Sequence, residues 1–193
     1  MNSPYSTNPN LLHKSTTSRV GRENQRYNPD TGSRMVAGCI CLNVPQDKVI
    51  MISSSVHPNK WVLPKGGIEL DEGDDFVVSA VRETWEEAGC EGKIVQKLPI
   101  VYDSRGSKAP ILPPGKEFDP QKTVPKSEFH FYEMEVDTLH TQWPESSKRK
   151  RRWCTYSEAK HELLKANRIE LVEALNSSGI HKDEVLDTAT DAY

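Results

Sequence analysis

The chain has 193 residues, of which 27% are charged and 35% hydrophobic, with a formal net charge of −3. That length gives room for one full hydrophobic core with polar ends. No apolar run approaches the roughly 18 residues that cross a bilayer and no secretory hydrophobic segment follows Met1, so the expectation is a soluble intracellular protein with no membrane partner.

Residues 1–20 hold Ser, Thr, Asn and Pro without apolar periodicity, and no acidic side chain occurs before Glu23. They read as a disordered tail. A mitochondrial transit peptide is the alternative, but Lys14 and Arg19 are its only basic residues and no amphipathic stripe accompanies them. M-V-A-G-C-I-C-L from Met35 and K-V-I-M-I-S from Lys48 read as a hairpin of buried strands. W-V-L-P from Trp61 leads into a Gly66-Gly67 turn and then a glutamate-rich helix. K-I-V-Q-K-L-P-I-V-Y after Gly92 and E-F-H-F-Y-E-M-E-V from Glu128 are strand-like. Between them, residues 103–126 hold five of the thirteen prolines and read as a long loop. R-R-W-C-T-Y reads as a strand and Ser157 as a helix N-cap. E-A-K-H-E-L-L-K-A and I-E-L-V-E-A-L read as helices, the second stopped by Gly179. The predicted organisation is a tail over 1–20, one domain over 21–179 and an acidic tail over 180–193. Strands mixed with helices that must cover both sheet faces predict an α/β sandwich.

Of the four cysteines, Cys39 and Cys41 are spaced to put both thiols on one side of a strand. Neither they nor Cys90 and Cys154 complete a zinc-binding pattern, so buried free thiols are expected.

The chemistry is concentrated in R-E-T-W-E-E-A-G-C from Arg82. On a helix, Glu83, Glu86 and Glu87 are related as i, i+3 and i+4, so three carboxylates share one face within a turn. Val77, Val81, Trp85 and Ala88 fall nearly opposite, giving one stripe for the core and a negative stripe facing outward. E-E-x-G alone is better read as a solvated helix face. Three carboxylates at this spacing repel, however, and a divalent cation relieves the repulsion; hard oxygen ligands suit Mg²⁺, or Mn²⁺ or another divalent cation.

Gly66, five residues, Glu72, nine residues and then Arg82-Glu83-x-x-Glu86-Glu87-x-Gly89-Cys90 together resemble the Nudix box, G-x5-E-x7-R-E-U-x-E-E-x-G-U, where U is bulky and apolar. The interval between Glu72 and Arg82 is two residues longer than that pattern, and Thr84 stands where an apolar residue is usual. Asp74 restores the seven-residue interval and is the rival to Glu72. The resemblance implies an α/β/α sandwich around a mixed sheet, with Glu86 as proton acceptor and Glu83 and Glu87 as metal ligands, beside Gly66 and Glu72.

Cations outside the box bear on the substrate. Lys148-Arg149-Lys150-Arg151-Arg152 is an unbroken run leading into an apolar strand, with Arg168 beyond and Arg22, Arg26 and Arg34 before it. A nuclear-import signal or a solvated basic run is one reading. The other is contact with a substrate carrying many anionic groups. G-R-E-N-Q-R-Y from Gly21, R-M-V-A-G-C-I-C-L from Arg34, S-S-S-V-H-P-N-K-W-V-L-P-K-G-G from Ser53, E-F-H-F-Y from Glu128 and K-R-K-R-R-W from Lys148 resemble the diphosphoinositol polyphosphate phosphohydrolases, especially fungal members also described as diadenosine polyphosphate hydrolases. What this implies is removal of the β-phosphate of inositol pyrophosphates and cleavage of diadenosine polyphosphates and inorganic polyphosphate, by a monomer in cytoplasm and nucleus that does not require nucleic acid. It implies substrate contacts at Arg34, Ser54, Ser55, Lys65, Gly66, Gly67, Lys126, His130, Arg149, Arg151 and Arg168. A nucleotide or mRNA-cap pyrophosphatase and a non-catalytic inositol-phosphate sensor are the alternatives. An aromatic content of 7% weighs against a base-stacking pocket.

Overall fold

A computed structural model describes residues 14–117 and 119–183. The first thirteen residues of the expected N-terminal tail, and residues 184–193 of the expected acidic tail, lie outside that range. Ten strands form: β1 Arg34–Leu42, β2 Val49–Ser53, β3 Trp61–Val62, β4 Lys65–Gly67, β5 Cys90–Lys97, β6 Val101–Tyr102, β7 Ser107–Lys108, β8 Val124–Pro125, β9 Ser127–Leu139 and β10 Arg151–Cys154. Among the described residues three α-helices accompany them, α1 Val77–Ala88, α2 Tyr156–Lys165 and α3 Ile169–Asn176, with a short 3-10 turn at Leu70–Glu72.

The main sheet runs β10-β2-β1-β9-β5, with β3, β4 and β6 paired to β2, β1 and β9. β1 and β9 are parallel from Arg34↔Ser127 to Leu42↔Glu135, while the other pairs are antiparallel, so the sheet is mixed. Parallel neighbours covered on both faces need apolar residues at successive positions. Met35 to Leu42 meets that requirement, since only glycine interrupts its buried apolar run. Adjacent residues of a strand point to opposite faces. Phe129 lies under the guanidinium of Arg168, which precedes α3, whereas His130 meets Phe76 at the head of α1. Helices therefore cover both faces, which is the α/β sandwich expected from the sequence. Phe131, Tyr132, Ile40, Met51 and Leu163 are among the fully enclosed side chains. Each contributes about 1.5–3 kcal/mol by leaving water. Among the described residues no helix is long and apolar enough to cross a membrane.

Local details depart from the sequence reading where side-chain chemistry competes. Lys65-Gly66-Gly67, expected as a turn, is the short strand β4, in register with Gly38, Ala37 and Val36. The cap of α2 is Thr155, not Ser157: its hydroxyl accepts from the Glu158 N–H while the Glu158 carboxylate accepts from the Thr155 N–H. That reciprocal box satisfies two helix-end donors at once, which Ser157 cannot do from inside the first turn. Ser157 instead donates to Asp183, and Ile180 is buried, so residues 180–183 pack on the domain. All four cysteines are buried and free.

β4 reaches β1 only because position 38 lacks a side chain; a Cβ there would overlap the carbonyl of Pro64. Gly38→Ala should therefore destabilise the fold by about 1–3 kcal/mol, as overpacking of a tight contact does. A urea midpoint equal to that of the unaltered protein would show that β4 can shift without cost.

Candidate functional site

α1 is the element that assembles the site. Val77, Ala80, Val81 and Ala88 join its inner face to the hydrophobic core, and it ends at Gly89, whose left-handed backbone (φ 60°) lets its N–H return to the Trp85 carbonyl. The carboxylates opposite that inner face are not the solvated stripe that amphipathic spacing predicts. Glu86 is 2% exposed and Glu87 8%. They stand in the wall of a cleft of about 280 Å³ whose other walls include Arg34, Lys65, Gly66, Gly67, Arg105 and Arg168.

Gathering three like charges, two of them buried, requires compensation, and Arg82 supplies part of it. Its Nη1 donates to Glu83 at 2.8 Å and lies 3.5 Å from Glu86, Nη2 donates to the Gly67 carbonyl at 3.0 Å, and Nε donates to Glu72 at 2.5 Å. Glu72 also accepts from the Ser79 hydroxyl and the Glu69 N–H. It braces Arg82 from behind and does not line the cleft. Asp74 is exposed and pairs with Arg26 at 2.7 Å, so Glu72 is the residue tied to the site. Glu87 accepts from the Lys65 N–H at 2.9 Å and from Arg149 Nη2. Compensation is incomplete. Burial pushes the Glu83 carboxyl up to about 8 and raises Glu86 and Glu87 too, against the opposing pull of Arg82 and, at Glu87, of Lys65 and Arg149. Burial also brings the Lys65 ammonium down to about 8.

No cluster of three His, Cys, Asp or Glu side chains among the described residues stands ready-made to hold an ion. The donors nevertheless fit a hard divalent cation. They are carboxylate oxygens within one helical turn, Glu86 Oε1 is buried without a partner, and a Cβ at Gly66 would overlap the Glu83 carboxylate, so the glycine keeps that space open.

Eight of the residues picked from sequence line the cleft: Arg34, Lys65, Gly66, Gly67, Glu83, Glu86, Glu87 and Arg168. Arg149 adjoins it, holding Glu87, Glu145 and the Ser53 carbonyl. The others are elsewhere. His130 is buried on the opposite face of β9 from Phe129, 3.0 Å from Glu128, because neighbouring strand residues alternate. Arg151 donates to the carbonyls of Ala88 and His140 and stacks on Trp143 at 4.3 Å, capping the negative end of α1. Arg152 turns the other way, to Glu162 and Trp61. Ser54 and Ser55 belong to the turn closed by Ser54 N–H to the Lys60 carbonyl at 2.8 Å, and Lys126 is exposed at the end of the long loop.

Two cations of the cleft, Arg19 and Arg105, are not among the residues the sequence singles out. Arg19, in the segment read as tail, donates its backbone N–H to Glu86 Oε2 at 3.0 Å, and its side chain reaches Glu69 and Asp71. Lys14 pairs with Glu91, and the Ser15 carbonyl accepts from Trp85 Nε1 at 3.0 Å, so residues 14–19 lie along α1. Arg105 comes from the long loop. Neither has a spacing relation to the box that could have pointed to it.

Residues 32–175 match the NUDIX domain family. The chain is 32% identical over 151 residues to "Nudix hydrolase 21, chloroplastic" of Arabidopsis thaliana, the match covering 75% of this chain and 67% of that protein. It is 30% identical over 140 residues to diphosphoinositol polyphosphate phosphohydrolase 3-alpha of Homo sapiens, covering 71% and 73%. With the protein of the same name from Mus musculus the match is 36% over 87 residues, and the chain spans only 51% of that relative. Among solved structures, a NUDIX hydrolase from Nitrosomonas europaea superposes with a TM-score of 0.50 at 11% identity, over 75% of this chain and 87% of that one. At that identity the likeness is of fold alone.

A carboxyl whose folded-state value lies above its ordinary 4.5 keeps a proton in the native protein where the unfolded chain has lost it. The contribution of Glu83 to metal-free stability is therefore whole below about 4.5 and lost as pH rises through about 8. Metal-free protein should lose melting temperature between pH 6 and pH 8, and Glu83→Gln should flatten that slope. Added Mg²⁺ should raise the melting temperature more at pH 8 than at pH 6. Parallel slopes for the two proteins would mean that Glu83 is not the group being titrated.

Proposed function

Since this chain belongs to the Nudix family, we propose that it is a metal-dependent pyrophosphohydrolase that removes the β-phosphate of diphosphoinositol polyphosphates and also cleaves diadenosine polyphosphates and inorganic polyphosphate. One observation carries this reading: a single cleft opposes three carboxylates from one turn of α1, Glu86 and Glu87 buried and Glu83 half-buried, to Arg34, Lys65 and Arg168. Carboxylates that gather a cation suit the reacting phosphates. Fixed cations suit the phosphates that the metal does not neutralise. The name of the human relative, which this chain matches over 71% of its length, supports the inositol pyrophosphate class.

Glu83 and Glu87, with the backbone of Gly66, would hold the cation, for which Mg²⁺ is the first candidate. When bound it supplies Lewis-acid polarisation of the phosphoryl oxygens. Glu86 takes the proton of the attacking water. Its Oε1 is free to do so, while Oε2 is fixed by the Arg19 N–H, and burial raises its basicity above that of an ordinary carboxylate. Arg82 orients Glu83 and Glu86 by ion pairing and does not line the cleft. Lys65, whose ammonium burial brings down to about 8, gains charge as anionic phosphate arrives. Arg34 is held at Nε by Gln25 at 2.6 Å, and Arg168 by Glu170 at 2.5 Å, so both guanidinium groups are set in place before substrate binds. Water attacks phosphorus directly, without a covalent enzyme intermediate.

Glu86→Gln should lower kcat by about 10²–10⁴-fold and leave KM within a few-fold. Glu83→Gln and Glu87→Gln should raise the Mg²⁺ concentration giving half-maximal rate. Full activity in Glu86→Gln would remove that residue from the mechanism, and turnover of a diphosphoinositol polyphosphate, a diadenosine hexaphosphate and long-chain polyphosphate, measured side by side, ranks the substrates.

The basic run offers a second test, because its members face different ways. Arg149→Ser should impair turnover of highly phosphorylated substrates and of a dinucleoside tetraphosphate alike, since it disturbs Glu87, which would hold the cation for both. Arg152→Ser should leave both rates unchanged, its partners being Glu162 and Trp61. Equal losses in the two variants would show that the run acts through net charge and not through position.

A further inference from the structure

The long loop between β6 and β9 is fixed at its base. β7 and β8 pair there as a small antiparallel ribbon, Ser107 opposite Pro125 and Lys108 opposite Val124. One side of that base is tied to the turn before β1: the Ser33 hydroxyl donates to the Pro125 carbonyl at 2.6 Å, and Lys108 Nζ donates to the Gly32 carbonyl. The other side is tied to α3. Ser104 Oγ donates to Glu170 Oε2 at 2.8 Å, and the other oxygen of this fully buried carboxylate holds Arg168.

Arg105 stands between these two anchors. Its backbone N–H, Nε and Nη2 all donate to the Asp103 carboxylate at 3.0 Å, and Asp103 is itself held by its N–H to the Ser127 carbonyl at 2.9 Å. The guanidinium plane is thus set by a carboxylate that is almost wholly buried, and Asp103 keeps it charged. Its side chain remains 44% exposed, Nη1 has no partner among the described residues, and the residue lines the same cleft as Arg34, Arg168 and the three glutamates. A cation oriented by a buried carboxylate, with an unused donor at the rim of a polyanion cleft, is built to take an anionic oxygen.

We propose that Arg105 is a specificity-determining residue that binds a phosphate group of the substrate remote from the bond being cleaved. This rests on the proposed reading of the cleft as a polyphosphate site. The loop then selects for the number and spread of phosphates and takes no part in the chemical step. A compact, highly phosphorylated ring presents a phosphate to Arg105 while another is at Glu86; a short linear chain has fewer phosphates to reach both.

The test combines binding with turnover. Inositol hexakisphosphate, which has no pyrophosphate bond, is titrated calorimetrically into the full chain and into Arg105→Ala and Arg105→Lys. In parallel, kcat and KM are measured for a diphosphoinositol polyphosphate and for diadenosine pentaphosphate. Losing one charge-assisted contact should weaken hexakisphosphate binding about tenfold in Arg105→Ala. KM for the inositol substrate should rise similarly, with kcat within about twofold, a smaller effect on the dinucleotide, and partial recovery in Arg105→Lys, which keeps the charge but not the fork. Wild-type hexakisphosphate affinity in Arg105→Ala overturns the assignment, as does failure of the unaltered protein to bind it. Weakened binding in the variant, combined with no turnover of the inositol substrate by the unaltered protein, leaves Arg105 in place and removes the proposed substrate instead.

Discussion

Three carboxylates gathered within one turn of one helix, two of them buried and the third half-buried, are the constraint around which this protein is arranged. Two unit charges 4 Å apart repel by only about 1 kcal/mol in water but by about 4 kcal/mol at the effective dielectric of a protein surface. A folded chain that keeps Glu83, Glu86 and Glu87 together must hold them there with something. Arg82 does so from the same helix, its guanidinium divided among Glu72, Glu83 and the Gly67 carbonyl. Arg149 does so from across the sheet, through Glu87 and Glu145. The remaining deficit appears as raised proton affinity at all three glutamates, and it favours a divalent cation in their midst.

Close backbone approach is the second requirement. β4 must run beside β1 and beside Glu83 at once, and side chains at positions 38 and 66 would occupy the space needed for each approach. The same strand carries Lys65, whose N–H fixes Glu87 and whose ammonium joins the cleft. One short strand therefore couples the rigidity of the sheet to the position of a carboxylate. Glu72 acts similarly at one remove. Its oxygens are spent on Arg82, Ser79 and the Glu69 N–H, so the geometry of the glutamates is inherited from a turn that does not itself border the cleft.

The basic run shows how strand geometry divides one sequence feature into separate structural jobs. Arg149, just before β10, is drawn inward to Glu87; Arg151 meets the last carbonyls of α1; Arg152, one residue on, lies on the other face with Glu162. Five consecutive cations in the sequence are thus neither one patch nor one site. The same alternation removes His130 from the cleft and leaves its neighbour Phe129 in it.

What the sequence determined by itself is what depends on near neighbours along the chain. The i, i+3, i+4 spacing put Glu83, Glu86 and Glu87 on one helix face, apolar runs marked β1 and β2, and the Nudix-like intervals placed Gly66 and Glu72 close to that helix. The first two relations are set by helix and strand periods alone, and the third by the family resemblance. Which face of β9 would meet α1, that the carboxylate stripe would be enclosed and not solvated, and that Arg19 and Arg105 would arrive at the cleft were decided only by tertiary packing. Each brings together residues tens of positions apart, as when the Arg19 N–H reaches Glu86 across a separation of 67. No local period encodes such a meeting; it follows from how the buried surfaces of the sheet and helices are jointly satisfied.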